Sequence, residues 1–153
     1  MTIYRVSLIG HRRIDNQLDL EEKLHKIVVE LLRSKEYVEF YIGRNGEFDI
    51  VVASVIKRAQ KIVSKYNSSI ILVLPYKVKD MEYYENYYDD IILPIEPKTH
   101  FKEAITKRNH WLVDNTDMLI AFVENSSGGA YQCLEYAKKA QIDFINIAYW
   151  INE

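Results

Sequence analysis

The sequence has one cysteine, Cys133, among 153 residues, which rules out an internal disulfide and any multi-cysteine metal site. The neighbours of Cys133 mark it as a small buried hydrophobe. The four histidines, His11, His25, His100 and His110, show no HExxH-type spacing, so no metal site is expected. Three prolines and five glycines are scattered, with no Pro-, Gly- or Ser-rich tract to act as a linker. The length suits one domain, expected to span residues 1–153. An excess of one charge sign is also missing. Twenty Lys and Arg against 22 Asp and Glu give a formal net charge of −2, so no global positive field gathers nucleic acid or anionic membrane. No apolar run approaches the roughly 20 residues of a membrane span, and the opening MTIYRVSLIGHRRID, with Arg5 inside its apolar run, lacks a signal-peptide layout. A cytoplasmic protein without a membrane partner is the expectation.

Hydrophobic residues make up 48% of the chain, and their spacing is informative. Continuous apolar runs rich in β-branched residues recur at 3–9, 37–42, 69–74, 90–93, 118–123 and 144–148, as in strands buried on both faces. Between them, Leu20, Leu24, Ile27, Val28, Leu31 and Leu32 repeat at three and four, and so do Phe48, Val51, Val52, Val55, Ile56, Ala59, Ile62 and Val63. Weaker helical patterns cover 101–115 and 130–141. Alternating strand and helix predicts a doubly wound, mainly parallel α/β sheet, because parallel neighbours need crossovers and right-handed crossovers place helices on both faces. Such sheets bind ligands where loops leave the carboxyl ends of the strands.

The glycines fall in three loops at such ends, IGHRR, IGRNGEFD and ENSSGGAY. Parallel geometry brings all three loops to one edge, where glycine lets a ligand approach the backbone and a helix start offers free N–H groups to an anion. Each loop alone also reads as an ordinary turn. No GxGxxG or GxxxxGK[ST] pattern is present, so any cradle differs from the standard dinucleotide and P-loop forms. In the first loop, His11, Arg12 and Arg13 form either a phosphate clamp or a solvated basic turn. In the second, Glu47 and Asp49 fit the first helical turn by dipole preference, or Asp49 bonds a ribose hydroxyl or orients a neighbouring basic side chain. Arg108 and Asn109 share no apolar period and are site candidates, whereas Trp111 reads as core. Glu135 lies about a turn past Gly129 and either faces a ligand or sits on the helix surface. MEYYENYYDD, residues 81–90, shows no clean periodicity; it reads as a loop packing its own rings on the domain, or as a lid stacking on a base.

Taken together, SLIGHR, FYIGRNGEFD, KRNHWLVDNTDMLIAFVENSSGGAYQCLEYAKKA and the closing FINIA resemble the SLOG superfamily, the Rossmann-like group that contains the DNA-processing DprA proteins and the Lonely Guy phosphoribohydrolases. The likeness covers nearly the whole chain and is nearest in pattern to small stand-alone bacterial and phage members. It implies a pocket for a nucleotide-derived small molecule, formed by Gly10, His11, Arg12, Gly43, Gly46, Asp49, Arg108, Asn109, Gly128, Gly129 and Glu135, with no cofactor and with a homodimer as a family habit. Some members cleave an N-glycosidic bond, some bind DNA and others sense nucleotide signals. The Lonely Guy pattern P-G-G-x-G-T-x-E-E after an R-K pair is only partly kept. Leu134 replaces its first Glu, Tyr131-Gln132 its inner Gly-Thr, and Asn109 its Lys, while Glu135 keeps the last Glu. Glycosidic cleavage needs carboxylates for an oxocarbenium-like transition state and an acid for the leaving base. The expected function is therefore sensing or sequestration of the ligand. The alternatives are hydrolysis or transfer at an N-glycosidic bond with Glu135 as the catalytic carboxylate, and DprA-like binding of single-stranded DNA, which the charge balance disfavours.

Overall fold

Strand and helix alternate through the chain as their hydrophobic periods dictate. A computed structural model describes residues 1–44 and 46–150. The elements run β1 (Ile3–Gly10), α1 (Gln17–Ser34), β2 (Tyr37–Ile42), α2 (Glu47–Ile62), β3 (Ser68–Val73), α3 (Met81–Tyr87), β4 (Asp90–Ile92), α4 (Phe101–Asp114), β5 (Met118–Phe122), α5 (Gly129–Lys139) and β6 (Asp143–Asn146). The strands form one sheet in the order β4-β3-β2-β1-β5-β6, and every neighbouring pair is parallel.

Strand residues point alternately to two cores. Val6, Leu8, Phe40 and Ile120 pack with Leu20, Leu24 and Val28 of α1 and Val52, Val55 and Ile56 of α2 on one face. Ile9, Tyr41, Val73 and Leu119 pack with Leu112 and Val113 of α4 and with Cys133, Leu134 and Ala137 of α5 on the other. Each fully buried Leu, Ile or Phe contributes about 1.5–3 kcal/mol over its exposed state. The two-sided burial explains why the strands read as continuous apolar runs. Local signals set the helix starts: Asn16 Oδ1 accepts from Asp19 N at 3.1 Å at the head of α1, and His100 Nδ1 accepts from Lys102 N at 3.4 Å at the head of α4.

The Tyr-rich segment is a helix, not the loop expected from its lack of an apolar stripe. Four-residue spacing is present, since Tyr83 and Tyr87 stack at 6.2 Å and Tyr84 and Tyr88 lie 6.2 Å apart. None of the helical residues is buried, so the segment shows no periodic core signature.

Winding proceeds outward from β1 through β2, β3 and β4, then returns to β5 on the other side of β1. The reversal falls between β1 and β5. The loops following those two strands diverge there and open a crevice at the carboxyl edge, the usual ligand position in open parallel sheets.

Candidate functional site

A cleft of about 710 Å³ occupies that edge, within the range of a nucleotide-sized ligand. Its walls come from the loops after β1, β2, β3 and β5, with α4 and the start of α5. Gly10, His11, Arg12, Gly43, Asp49, Arg108, Asn109, Gly128 and Gly129, all expected from the sequence, lie together in its lining.

Arg108 is the most unusual member. It projects from α4, is only 2% exposed, and has its guanidinium fixed by two hydrogen bonds. Nη1 donates to the carbonyl of Val73 at 2.9 Å and Nε donates to Asn109 Oδ1 at 3.0 Å. Burial lowers its pKa, and the nearby Asp49 carboxylate works in the opposite direction. Asp49 is itself buried, and Gly43 lies beneath both groups: a methyl there would be 3.1 Å from Arg108 Nη1 and 3.6 Å from Asp49 Oδ2. Taking a guanidinium out of water costs several kcal/mol. Both of these acceptors are neutral oxygens, and they engage two of the five N–H donors of the group. A cation fixed in this way is preorganised for an anion entering the cleft.

Beside it α5 starts. Gly128 has φ of +96° and ψ of 174°, a region essentially confined to glycine, and the space around its missing side chain is open to 4 Å. Gly129 lies 4.0 Å, at its would-be Cβ, from Asn109 Nδ2. Free N–H groups of the first helical turn, the Asn109 amide and the Arg108 guanidinium therefore gather at one end of the cleft.

His11 holds the crevice in shape. Its Nε2 accepts from the backbone N–H of Glu124 at 2.9 Å and of Asn125 at 3.2 Å, so the ring ties the β1 loop to the β5 loop. Gly10 packs on the Phe48 ring. Gly46 is outside the lining: a Cβ there would lie 2.5 Å from the Arg12 carbonyl oxygen, and Glu47 N donates to that same oxygen at 2.8 Å. Gly46 thus lets the head of α2 close against the β1 loop. Glu47 Oε2 accepts from Ile14 N at 2.7 Å, so this carboxylate ties the β1 loop to α2. Asn45, in the same loop, lies outside the described residues.

Glu135 is also outside the lining and pairs with Lys138 Nζ at 3.1 Å. Cys133 faces the cleft, and Glu135, two residues further on, is turned about 200° around the helix from it. Trp111 packs edge-on against Tyr41 at 5.5 Å beside the second core.

Arg13 of the expected clamp is also in the lining, and Tyr76, Arg44, Asn125 and Ser127 join it without having been singled out as ligand residues. Tyr76 is 41% exposed and follows β3; its loop contains no glycine, and the strand order, with β3 next to β2, is what brings that loop to the cleft. Among the described residues, Arg12, Arg13, Arg44 and Arg108 stand against the single carboxylate of Asp49, so the lining is strongly cationic. Among the described residues no group of His, Cys, Asp and Glu is placed to hold a metal ion, and no helix is long and apolar enough to cross a membrane.

The strand order and the crevice define the chain as a Rossmann-like α/β protein, a fold it shares with the solved structures it resembles. Among solved structures it is similar to DNA processing protein A (DprA) from Streptococcus pneumoniae, at 13% identity and TM-score 0.70, over 93% of this chain and 49% of that one. It is similar to DprA from Helicobacter pylori, whose structure describes a single-stranded DNA binding mode, at 15% identity and TM-score 0.64, over 92% and 63%. It is also similar to the molybdenum cofactor binding protein of Rippkaea orientalis, at 18% identity and TM-score 0.63, over 94% and 76%. The chain thus spans about half the length of the pneumococcal protein. No protein-family model matches the chain, and no curated protein matches it.

Proposed function

We propose that the protein binds a phosphorylated, nucleotide-derived small molecule in the cleft and acts as a sensor or a sequestering protein. The observation that carries this reading is Arg108, a cation 2% exposed, fixed by two neutral acceptors and set beside the N-terminus of α5. A phosphate there would gain charge-assisted bonds from a group already ordered and desolvated. Gly128 and Gly129 would let the backbone approach the phosphate or ribose, and Asp49 and Asn109 would take sugar hydroxyls. Turnover has less support, because among the described residues the lining offers one carboxylate and Glu135 is paired with Lys138 outside it.

Native mass spectrometry of the purified protein, followed by thermal shift against nucleotides and the molybdenum cofactor, tests the reading. A ligand at one hundred times its Kd stabilises the fold by about 2.7 kcal/mol. A panel without any stabilising compound, together with a bare protein mass, refutes the proposal. A second reading is supported by the exposed Arg12, Arg13 and Arg44 at the cleft and by the fold shared with DprA: phosphates of single-stranded DNA would lie across the same arginines. Binding that falls steeply with salt and is blocked by the small ligand would place both in one site.

A further inference from the structure

One side chain joins the tyrosines of α3 to the cleft. Arg44 lines the cleft and donates from Nε to Tyr84 Oη at 2.7 Å, with its guanidinium carbon 5.3 Å from the Tyr84 ring centroid. Tyr84 is braced by Tyr83, edge-on at 5.3 Å, and lies 6.2 Å from Tyr88. Lys57 of α2 holds the end of the helix, donating to the carbonyl of Tyr87 at 3.1 Å and lying 3.4 Å over its ring. A helix that buries none of its own residues is thus ordered around the support of one arginine.

The type of support matters. Among the described residues no carboxylate lies within ion-pair distance of Arg44. A neutral tyrosine hydroxyl fixes the side chain without cancelling its charge, and the bond uses only Nε, so both terminal amino groups keep their donors. Arg108 is fixed in the same manner, by neutral oxygens, deep in the same cleft. The cleft therefore holds two separately braced cations, one buried and one exposed.

We infer that Arg44 forms a second anion subsite, and that the ligand carries two linked phosphate groups, as a nucleoside diphosphate does, with Tyr84 as the residue that positions Arg44. This rests on the reading of the cleft as a nucleotide site and narrows it to a ligand class. It also accounts for the Tyr-rich segment, whose rings orient the cation that reads the outer phosphate.

Titration calorimetry with the four common nucleoside 5′-monophosphates and the matching diphosphates, on the full chain, tests the inference. For the preferred base the diphosphate binds about tenfold or more tightly than the monophosphate, the worth of one charge-assisted contact. Arg44→Gln removes that preference and leaves monophosphate affinity within about threefold. Tyr84→Phe keeps the ring but not the acceptor, and reduces the preference while monophosphate affinity holds; a merely structural tyrosine would not alter this ratio. Equal loss of both ligands in Arg44→Gln, or an unchanged preference, overturns the inference and leaves the nucleotide reading standing. Absence of binding by all eight compounds overturns the inference, while the reading of the cleft as a site for a nucleotide-derived ligand stands or falls by the wider panel and the native mass.

Discussion

Replacing Arg108 with methionine separates stability from binding, because the two depend on the guanidinium in opposite ways. In the free protein the buried charge costs several kcal/mol of desolvation, which methionine of similar length removes. Against this, the Val73 carbonyl and Asn109 Oδ1 lose their donors, at about 1–3 kcal/mol each where water cannot replace them. Asn109 lines the cleft, where the smaller figure applies, whereas Val73 is fully buried and takes the larger one. The buried Asp49 carboxylate also loses its neighbouring cation, so the terms only partly cancel and the variant should melt below the parent by no more than about 10 °C, since 1 kcal/mol moves a domain of this size by about 2–4 °C. Ligand binding has no such compensation. Removing a buried, charge-assisted partner costs about 2–5 kcal/mol, a loss of about 30-fold or more in affinity. Scanning fluorimetry of the free protein and calorimetry with the most stabilising phosphate compound measure the two halves. A melting temperature lowered by more than about 10 °C, with affinity intact in the folded fraction, would make Arg108 a structural residue and sink the argument.

Three further outcomes follow from particular contacts. Gly128→Ala places a side chain at φ of +96° in open space, so the penalty is backbone strain of about 1–3 kcal/mol; a lower melting temperature and weaker binding are expected, and an unchanged variant would show that the loop adapts freely. Gly46→Ala sets a Cβ 2.5 Å from the Arg12 carbonyl, where backbone must move, so hydrogen exchange at residues 12–14 should quicken; unaltered protection there would contradict the contact. Cys133, its pKa pushed up to about 12 by burial, leaves only roughly one thiol in ten thousand ionised at pH 8, and thiol reagents should modify it only as fast as the protein opens. Its raised folded pKa contributes stability that is complete below pH 9 and declines as pH rises toward 12, by at most about 1.4 kcal/mol per pH unit; denaturant melts of Cys133→Ala should show a shallower alkaline decline, and parallel declines would argue against a buried thiol.

The fold was legible because two-sided burial leaves a strong mark. Strands such as Met118–Phe122, buried at every position, can be little else between amphipathic helices. The boundaries slid by a residue or so where a strand end leaves the ladder, as at Ser68–Val73. α3 was illegible for the opposite reason: its order comes from ring stacking and from Arg44 and Lys57, which leave no apolar stripe. At the site, glycines led to three of the wall-forming loops, and the absence of an apolar period picked out Arg108. Tyr76 escaped because its loop lacks glycine, and the observed strand order, with β3 next to β2, is what brings that loop to the cleft. Glu135 was reached by counting turns along α5, whereas the helical phase, set by the burial of Cys133 and Ala137, turns it away from the cleft.

Charge balance shows how a sum can conceal a site. The chain totals −2, yet among the described residues its cleft gathers four arginines against one carboxylate. The surface outside the cleft is therefore more negative than the total. An extended polyanion leaving the cleft would meet that surface, while a compact anion would stay within the roughly 8 Å over which the arginines act at physiological salt. Under the proposed reading, the same distribution favours a small phosphorylated ligand over a long strand, and the two differ in salt dependence. Binding of a diphosphate should release few counterions, whereas a strand engaging many phosphates would show a much steeper slope.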